Sequence, residues 1–492
     1  MRLIDTRTLE LADFGNHLPS AQYAILSHRW GDNEVTYRQY MALDKSLLRA
    51  QTPRAYSSGL DKILWGCHMA RRNNLRYFWI DTCCINKNNE DDQTELSASV
   101  MSMWKWYHEA AICYIFLATI TLSAAEVERD PNAFMEWHHS KDSEDRDYGR
   151  PAEYFRRGWT LQELLAPRRA IFFNATWSFI GSRLQLVDQI YNATNIAKQY
   201  INSNEGIRLA SIAARLSWAG GRETTREEDR VYSLIGLFDI NMDIRYGEGY
   251  ERAFYRLQKE IVENDPSEDI FAWTSDKLAK SGLLAPDIDC FANSGDIDRI
   301  WTQDKEPHQL TSKGLRLHIT ARLWEMARES AQANNHPHPT VVLPLAAGRR
   351  NKQTKEVEVV TIMLVCMNYR ESPTRMFVRE HCDRLGFEAS TAAAATSLSA
   401  SSTRDSKRRS QLMKADEYIS IFVRQEYSFN PAHRKKTMEL MRQRFGSFGR
   451  EFKAYVYEGR YTTPEAVPEG RVVNGGSLRR PRSPSPHIGY AM

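Results

Sequence analysis

Short apolar runs alternate with amphipathic stretches through the first 180 residues. Tyr23–Trp30 (YAILSHRW) is an apolar run ending in polar residues and predicts a buried strand. Ser57–Leu75 follows with Leu60, Ile63, Leu64 and Cys67 at helical spacing, with Ser57 or Ser58 as candidate cap. Tyr77–Cys84 (YFWIDTCC) predicts a second strand and INKNNEDDQ a polar loop. A helix is expected from about Thr94 to Ala110, with Leu96, Val100, Met103, Trp104 and Tyr107 on one stripe. Ala111–Leu117 (AICYIFL) predicts a third strand. The charged stretch Glu126–Arg150 has no period and is expected as a loop insertion. Tyr154–Ala166 predicts one helix stopped by Pro167, and Ala170–Trp177 (AIFFNATW) a fourth strand. Near-continuous apolar strands alternating with helices imply an α/β domain with a parallel sheet covered on both faces.

The texture changes further on. Residues 207–263 are helical in character, with Tyr250, Phe254, Leu257 and Ile261 forming a stripe. From about Leu310 strand patterns dominate: GLRLHIT, TVVLPLA, VEVVTIMLVCM, RMFVRE, YISIFVRQ and FKAYVYE. The expected division is therefore an α/β domain over 1–200, a helical segment over 201–280 and a β-rich domain over 281–470. Within the last, the low-complexity stretch 389–410 is expected to be a disordered loop, and 471–492 a disordered tail.

Composition narrows the class. The chain has 492 residues, 42% hydrophobic and 26% charged, which fits two or three globular domains. Lys plus Arg is 66 and Asp plus Glu 62, a net +4, which argues against general attraction to nucleic acid. Seven cysteines, an odd number in mostly apolar surroundings, fit reduced buried thiols rather than a disulfide framework. No secretory h-region opens the chain, and the uncharged stretch Ala110–Ala125 is short of the roughly 20 apolar residues of a membrane helix. A soluble, cytoplasmic protein without a membrane span is expected.

Several chemistries lack their motif. No GxxxxGK[ST], HExxH, paired CxxC or GxSxG occurs. His138–His139 lies in the charged insertion. Cys83–Cys84 could join Cys67–His68 as metal ligands, but vicinal residues on a strand point to opposite faces, so no metal site is expected.

Three polar clusters fall where an open α/β sheet keeps its chemistry, beyond the carboxyl ends of its strands. They are Ser27-His28-Arg29-Trp30, then Asp81-Thr82, then Arg157, Trp159 and Glu163 on one helix. Trp159 and Glu163, four apart, are expected to share a helical face. An aromatic ring beside a carboxylate can stack on a base and hold a ribose, and the carboxylate can stabilise an oxocarbenium-like centre. Structural roles fit the same residues: Trp159 as core, Glu163 paired with Arg157 or Arg168, Arg29 paired with Asp81, and His28 a satisfied polar residue.

YAILSHRWGDNEVTY, the stretch from YFWIDTCC to AICYIFL, and RRGWTLQELLAPRRAIFFNATW resemble, in order, the HET (heterokaryon incompatibility) domain of filamentous fungi. The follow-on block from RLSWAGGRETTREEDRVYSLIG to GLLAPD also resembles the segment that often trails that domain. The resemblance implies a role in non-self recognition and programmed cell death, with self-association through the domain and an unidentified protein trigger. No nucleotide-binding loop or repeat follows, as it does in some members, so the β-rich half is the candidate sensing part. HET domains are in turn remotely similar to TIR domains, which implies a TIR-like (flavodoxin-like) sheet. In TIR proteins that cleave NAD, the key glutamate lies in a W-C-x-x-E-L pattern. Trp159-Thr160-Leu161-Gln162-Glu163-Leu164 keeps that spacing, with Thr160 in place of Cys. This implies Glu163 as catalytic residue of a candidate NAD glycohydrolase, with NAD as substrate rather than cofactor. Ser27, Arg29, Trp30, Asp81 and Trp159 are then the substrate-binding candidates, Arg29 toward a phosphate and Trp30 or Trp159 against a ring. The alternative implied by the same resemblance is a self-associating signalling module without chemistry.

Overall fold

The apolar runs of the first 180 residues meet in one seven-stranded sheet. The computed structural model describes residues 1–15, 17–49, 58–87, 94–137, 148–203, 206–300, 308–367, 375–389, 418–425 and 428–429. The strands are β1 (Arg2–Asp5), β2 (Leu11–Asp13), β3 (Tyr23–His28), β4 (Tyr77–Trp79) and β5 (Ile112–Phe116), with β6 (Met135–Trp137) and β7 (Tyr148–Pro151) forming a separate hairpin. β8 (Ala170–Phe173) and β9 (Phe179–Ser182) complete the sheet, whose order is β2-β1-β4-β3-β5-β8-β9. β3 pairs in parallel with β4 and β5, and β5 with β8. These four parallel strands lie in the sequence order 2-1-3-4, the order of a doubly wound sheet, with the switch point between β3 and β5. All six residues of β3 and all five of β5 are buried, as a sheet covered on both faces requires.

The parallel sheet expected from the sequence carries antiparallel strands at both margins. β1 and β2 add one antiparallel edge and β9 the other. The second strand also ends earlier than YFWIDTCC suggested. β4 stops at Trp79, and Asp81–Cys84 turn into a short helix with Ile80 as N-cap. Cys83 and Cys84 therefore sit on a helical turn, and opposite strand faces do not separate them. The segment read as one helix over Tyr154–Ala166 is two, Glu153–Arg156 and Thr160–Leu165, broken at Arg157-Gly158-Trp159. The stretch expected as a loop insertion holds a helix, Ala124–Arg129, with a capping box from Ser123 and Glu126, and the β6–β7 hairpin. His138 and His139 lie outside the described residues.

Three of the expected helices follow their stripes. Gly59–Arg72 is capped by Ser58, and Thr94–Glu109 buries Val100, Met103 and Tyr107. Tyr250–Asn264 buries Phe254, Leu257 and Ile261. Gly66 is needed on the first of these because a Cβ there would stand 2.1 Å from the Phe78 ring.

A second, ten-stranded sheet is built mostly from antiparallel pairs, the longest being Thr340–Arg350 with Val357–Cys366. A helix, Ala321–Ala333, interrupts the β texture. Gly386–Ala389 pairs with Val357–Cys366, so Ala389 belongs to a strand. The rest of the low-complexity stretch, FKAYVYE and the tail lie outside the described residues. Buried polar contacts tie the helical part to this sheet. Arg379 donates to Phe271 O at 3.0 Å and Trp273 O at 2.6 Å, and Glu268 accepts from Ala346 N at 2.6 Å.

Candidate functional site

Successive residues of a strand point to opposite faces, so Ser27 and His28 at the carboxyl end of β3 find separate partners. Ser27 turns toward the helix Thr160–Leu165. Its hydroxyl donates to Glu163 Oε2 at 2.6 Å, and the Tyr154 hydroxyl lies 2.7 Å from Ser27 Oγ. A serine has one proton to give, so Tyr154 donates and the bonds run Tyr154 to Ser27 to Glu163. Tyr107, on the helix Thr94–Glu109, donates to Leu26 O at 2.9 Å and also reaches the Glu163 carboxyl.

Glu163 is 6% exposed. Burial pushes its pKa up to about 8, and the charge of Asp81 adds to the rise. The Ser27 hydroxyl, Arg157 and Tyr107 work in the opposite direction without cancelling it. The carboxyl is thus poised to change protonation near neutrality, the behaviour of an acid–base group in a dry setting.

His28 lies on the other face beside Glu34, with Nε2 3.6 Å from the carboxylate. Lys62, 2% exposed, donates to the same Glu34 oxygen, and Gly31 N donates to it at 2.9 Å. Burial opposes ionisation of Glu34, but His28, Lys62 and the Gly31 amide together hold its pKa down to about 2.

A third cluster spans the ends of β3 and β4. Trp30 Nε1 donates to Asp81 Oδ2 at 2.9 Å, Lys87 donates to the same oxygen at 3.0 Å, and the Lys87 ammonium stands 3.9 Å from the Trp30 ring centre. Burial raises the Asp81 pKa, but Lys87 and His28 outweigh it and keep the carboxylate below its ordinary range.

The fold therefore joins Ser27 to Glu163 and Trp30 to Asp81. It does not join all six sequence candidates. Arg29 pairs with Glu153 at 2.7 Å rather than with Asp81. Arg168 lies 3.7 Å from Glu109, not beside Glu163. Trp159 precedes the first turn of its helix and meets Asp229 of the follow-on segment, which also accepts from Tyr246 at 2.9 Å. Trp159 and Glu163 thus serve different neighbours, although they stand four residues apart. Tyr154 and Tyr107 were missed as site residues. In the sequence Tyr107 is an apolar-stripe position and Tyr154 the start of an expected helix, and only their hydroxyls distinguish them from phenylalanine. Among the described residues, no group of three His, Cys, Asp or Glu gathers to hold a metal, and no helix is long and apolar enough to cross a membrane.

Comparison with known proteins gives a consistent picture. Residues 23–163 match the family described as "Heterokaryon incompatibility protein (HET)". The chain is 36% identical over 270 residues to the "Vegetative incompatibility protein HET-E-1" of Podospora anserina. That alignment covers 53% of this chain and 18% of the Podospora protein, so the chain matches less than a fifth of that relative's length. No solved structure matches. The family match takes in Ser27, Arg29, Trp30, Asp81, Trp159 and Glu163, and stops before Asp229.

Proposed function

We propose that this chain, whose residues 23–163 match the HET family, acts in the cytoplasm as an effector of heterokaryon incompatibility and cell death. The similarity to a vegetative incompatibility protein supports the process. For the chemistry, we propose that the domain cleaves NAD between ribose and nicotinamide. One observation carries this: a buried carboxyl, Glu163, held by the Tyr154–Ser27 hydroxyl pair at the switch-point end of a doubly wound sheet. The TIR-like reading of the sheet and the Trp159-to-Leu164 spacing support the same assignment by analogy.

In this reading the C1′–N bond breaks with its electron pair leaving on nicotinamide, which departs neutral. The ionised Glu163 stabilises the oxocarbenium-like ribosyl centre. Water adds to C1′ and releases one proton, which Glu163 accepts. A cationic nicotinamide ring entering beside Glu163 favours its ionised form, countering the burial that holds it protonated. Trp30 offers an exposed ring at the same sheet edge.

The burial of Glu163, with its carboxyl already hydrogen-bonded, favours a second reading, in which the domain is a self-associating module answering a protein trigger and Glu163 is structural. Nicotinamide release from NAD by the purified full chain separates the two. Wild type is compared with Glu163→Gln at high protein concentration with a crowding agent. Release that falls about a hundredfold or more in the folded variant supports the enzyme. A folded, self-associated wild type that releases none supports the module.

A further inference from the structure

The segment after the family-matched stretch runs against the helix break that carries Tyr154 and Glu163. Gly158 N donates to Glu223 O at 2.9 Å and Glu223 N to Arg156 O at 2.6 Å, a parallel bridge between the two backbones. Arg222, 6% exposed, donates to Arg157 O at 2.9 Å, to Thr160 Oγ1 at 3.3 Å and, through Nε, to Trp218 O at 2.9 Å. Among the described residues no carboxylate pairs with this buried guanidinium.

The contacts answer a local need. Breaking a helix leaves carbonyls without intrahelical donors. Here Arg156 O is taken by Glu223, Arg157 O by Arg222, and Tyr154 O by the Thr160 hydroxyl at 2.5 Å. Gly158 permits the approach: a Cβ at this position would stand 2.5 Å from Thr224 Cγ2. A few residues on, Asp229 meets Trp159. The break is thus held from outside by Arg222, Glu223 and Asp229, and the residues flanking it, Tyr154 and Glu163, are the two ends of the hydroxyl relay.

We propose that Arg222 is a positioning residue for the Glu163 carboxyl, and that residues 218–229, beyond the family-matched stretch, complete the site by fixing the Arg157–Trp159 break. A break left unclamped would let the short helix Thr160–Leu165 shift, admit water to Glu163 and separate Tyr154 from Ser27. The inference deepens the proposed reaction site, but its test requires no reaction.

The test is the titration of Glu163 by carbon NMR in the full chain, with its signal assigned by loss in Glu163→Gln. In folded Arg222→Met, Glu163 is expected to titrate about one unit or more lower, as water reaches it. Arg379→Met removes another buried arginine, one that reaches from the second sheet to the carbonyls of Phe271 and Trp273, and should leave the titration unchanged. If Arg222→Met does not fold, Thr160→Val, which removes the hydroxyl shared by the same clamp, is expected to give the same downward shift. An unchanged titration in the folded clamp variant, or an equal shift in Arg379→Met, overturns the inference. A wild type that does not cleave NAD overturns the proposed reaction and leaves this result standing.

Discussion

The Ser27 hydroxyl donates to Glu163 Oε2 at 2.6 Å across 136 residues of sequence. The bond joins the end of the first parallel strand to the first turn of the helix preceding the fourth. It is the point at which the fold turns a buried carboxyl into a site candidate.

Removing that donor tests how far Glu163 depends on it. Ser27→Ala takes away a hydrogen bond that lowers the carboxyl's pKa and leaves the Tyr154 hydroxyl without its acceptor. The expected outcome is a Glu163 titration above that of wild type and a loss of about 1–3 kcal/mol in stability. Carbon NMR and urea denaturation read the two effects separately.

Stability should carry the mark of Glu163 above pH 5. The group titrates at about 8 when folded, against an ordinary value of 4.5. Between these values the folded state holds a proton that the unfolded state has lost. Its contribution is therefore full below about 4.5, falls as pH rises toward 8 and is flat beyond, at about 1.4 kcal/mol per unit. Urea denaturation from pH 5 to 9 should show Glu163→Gln gaining on wild type as pH rises. Parallel curves would mean that Glu163 is already ionised in the native protein.

Asp81 acts on Glu163 through space. Its charge is the second influence, after burial, that raises the Glu163 pKa. Asp81→Asn should bring the Glu163 titration down while freeing Lys87 from its 3.0 Å bond. An unmoved titration would show that the two carboxyls do not sense each other.

The cluster on the opposite face makes a stability prediction of the opposite pH sense. Glu34 is held down to about 2, so its contribution is present above about 4.5 and lost as pH falls toward 2. Glu34→Gln leaves buried Lys62 without its counter-charge and should cost about 3–5 kcal/mol at pH 7. Adding Lys62→Met should restore most of the loss, because the penalty lies in the stranded charge. A double variant as unstable as the single one would place the cost elsewhere.

Much of the first 180 residues was legible from local pattern. The apolar run ending in Ser27 and His28 is a buried strand, and the stripe Val100, Met103 and Tyr107 is the buried face of a helix. Backbone geometry fixes periods of about 2 and 3.6, so one segment reveals its own buried face. Glu163 was singled out by its spacing from Trp159 and by the TIR-like pattern, yet the two side chains serve different neighbours. The pattern failed where neighbours decide. Asp81–Cys84 continue an apolar run yet turn helical, and Tyr154–Ala166 keep a helical texture through a break.

The sequence by itself determined the α/β alternation and the apolar faces, because these follow from residue type and local spacing. Only the tertiary structure decided which hydroxyls reach Glu163, that Trp159 turns to Asp229, and that Arg222 and Glu223 satisfy the carbonyls of the break. A hydrogen bond between segments 60 or more residues apart depends on how the elements pack, and no local period records it.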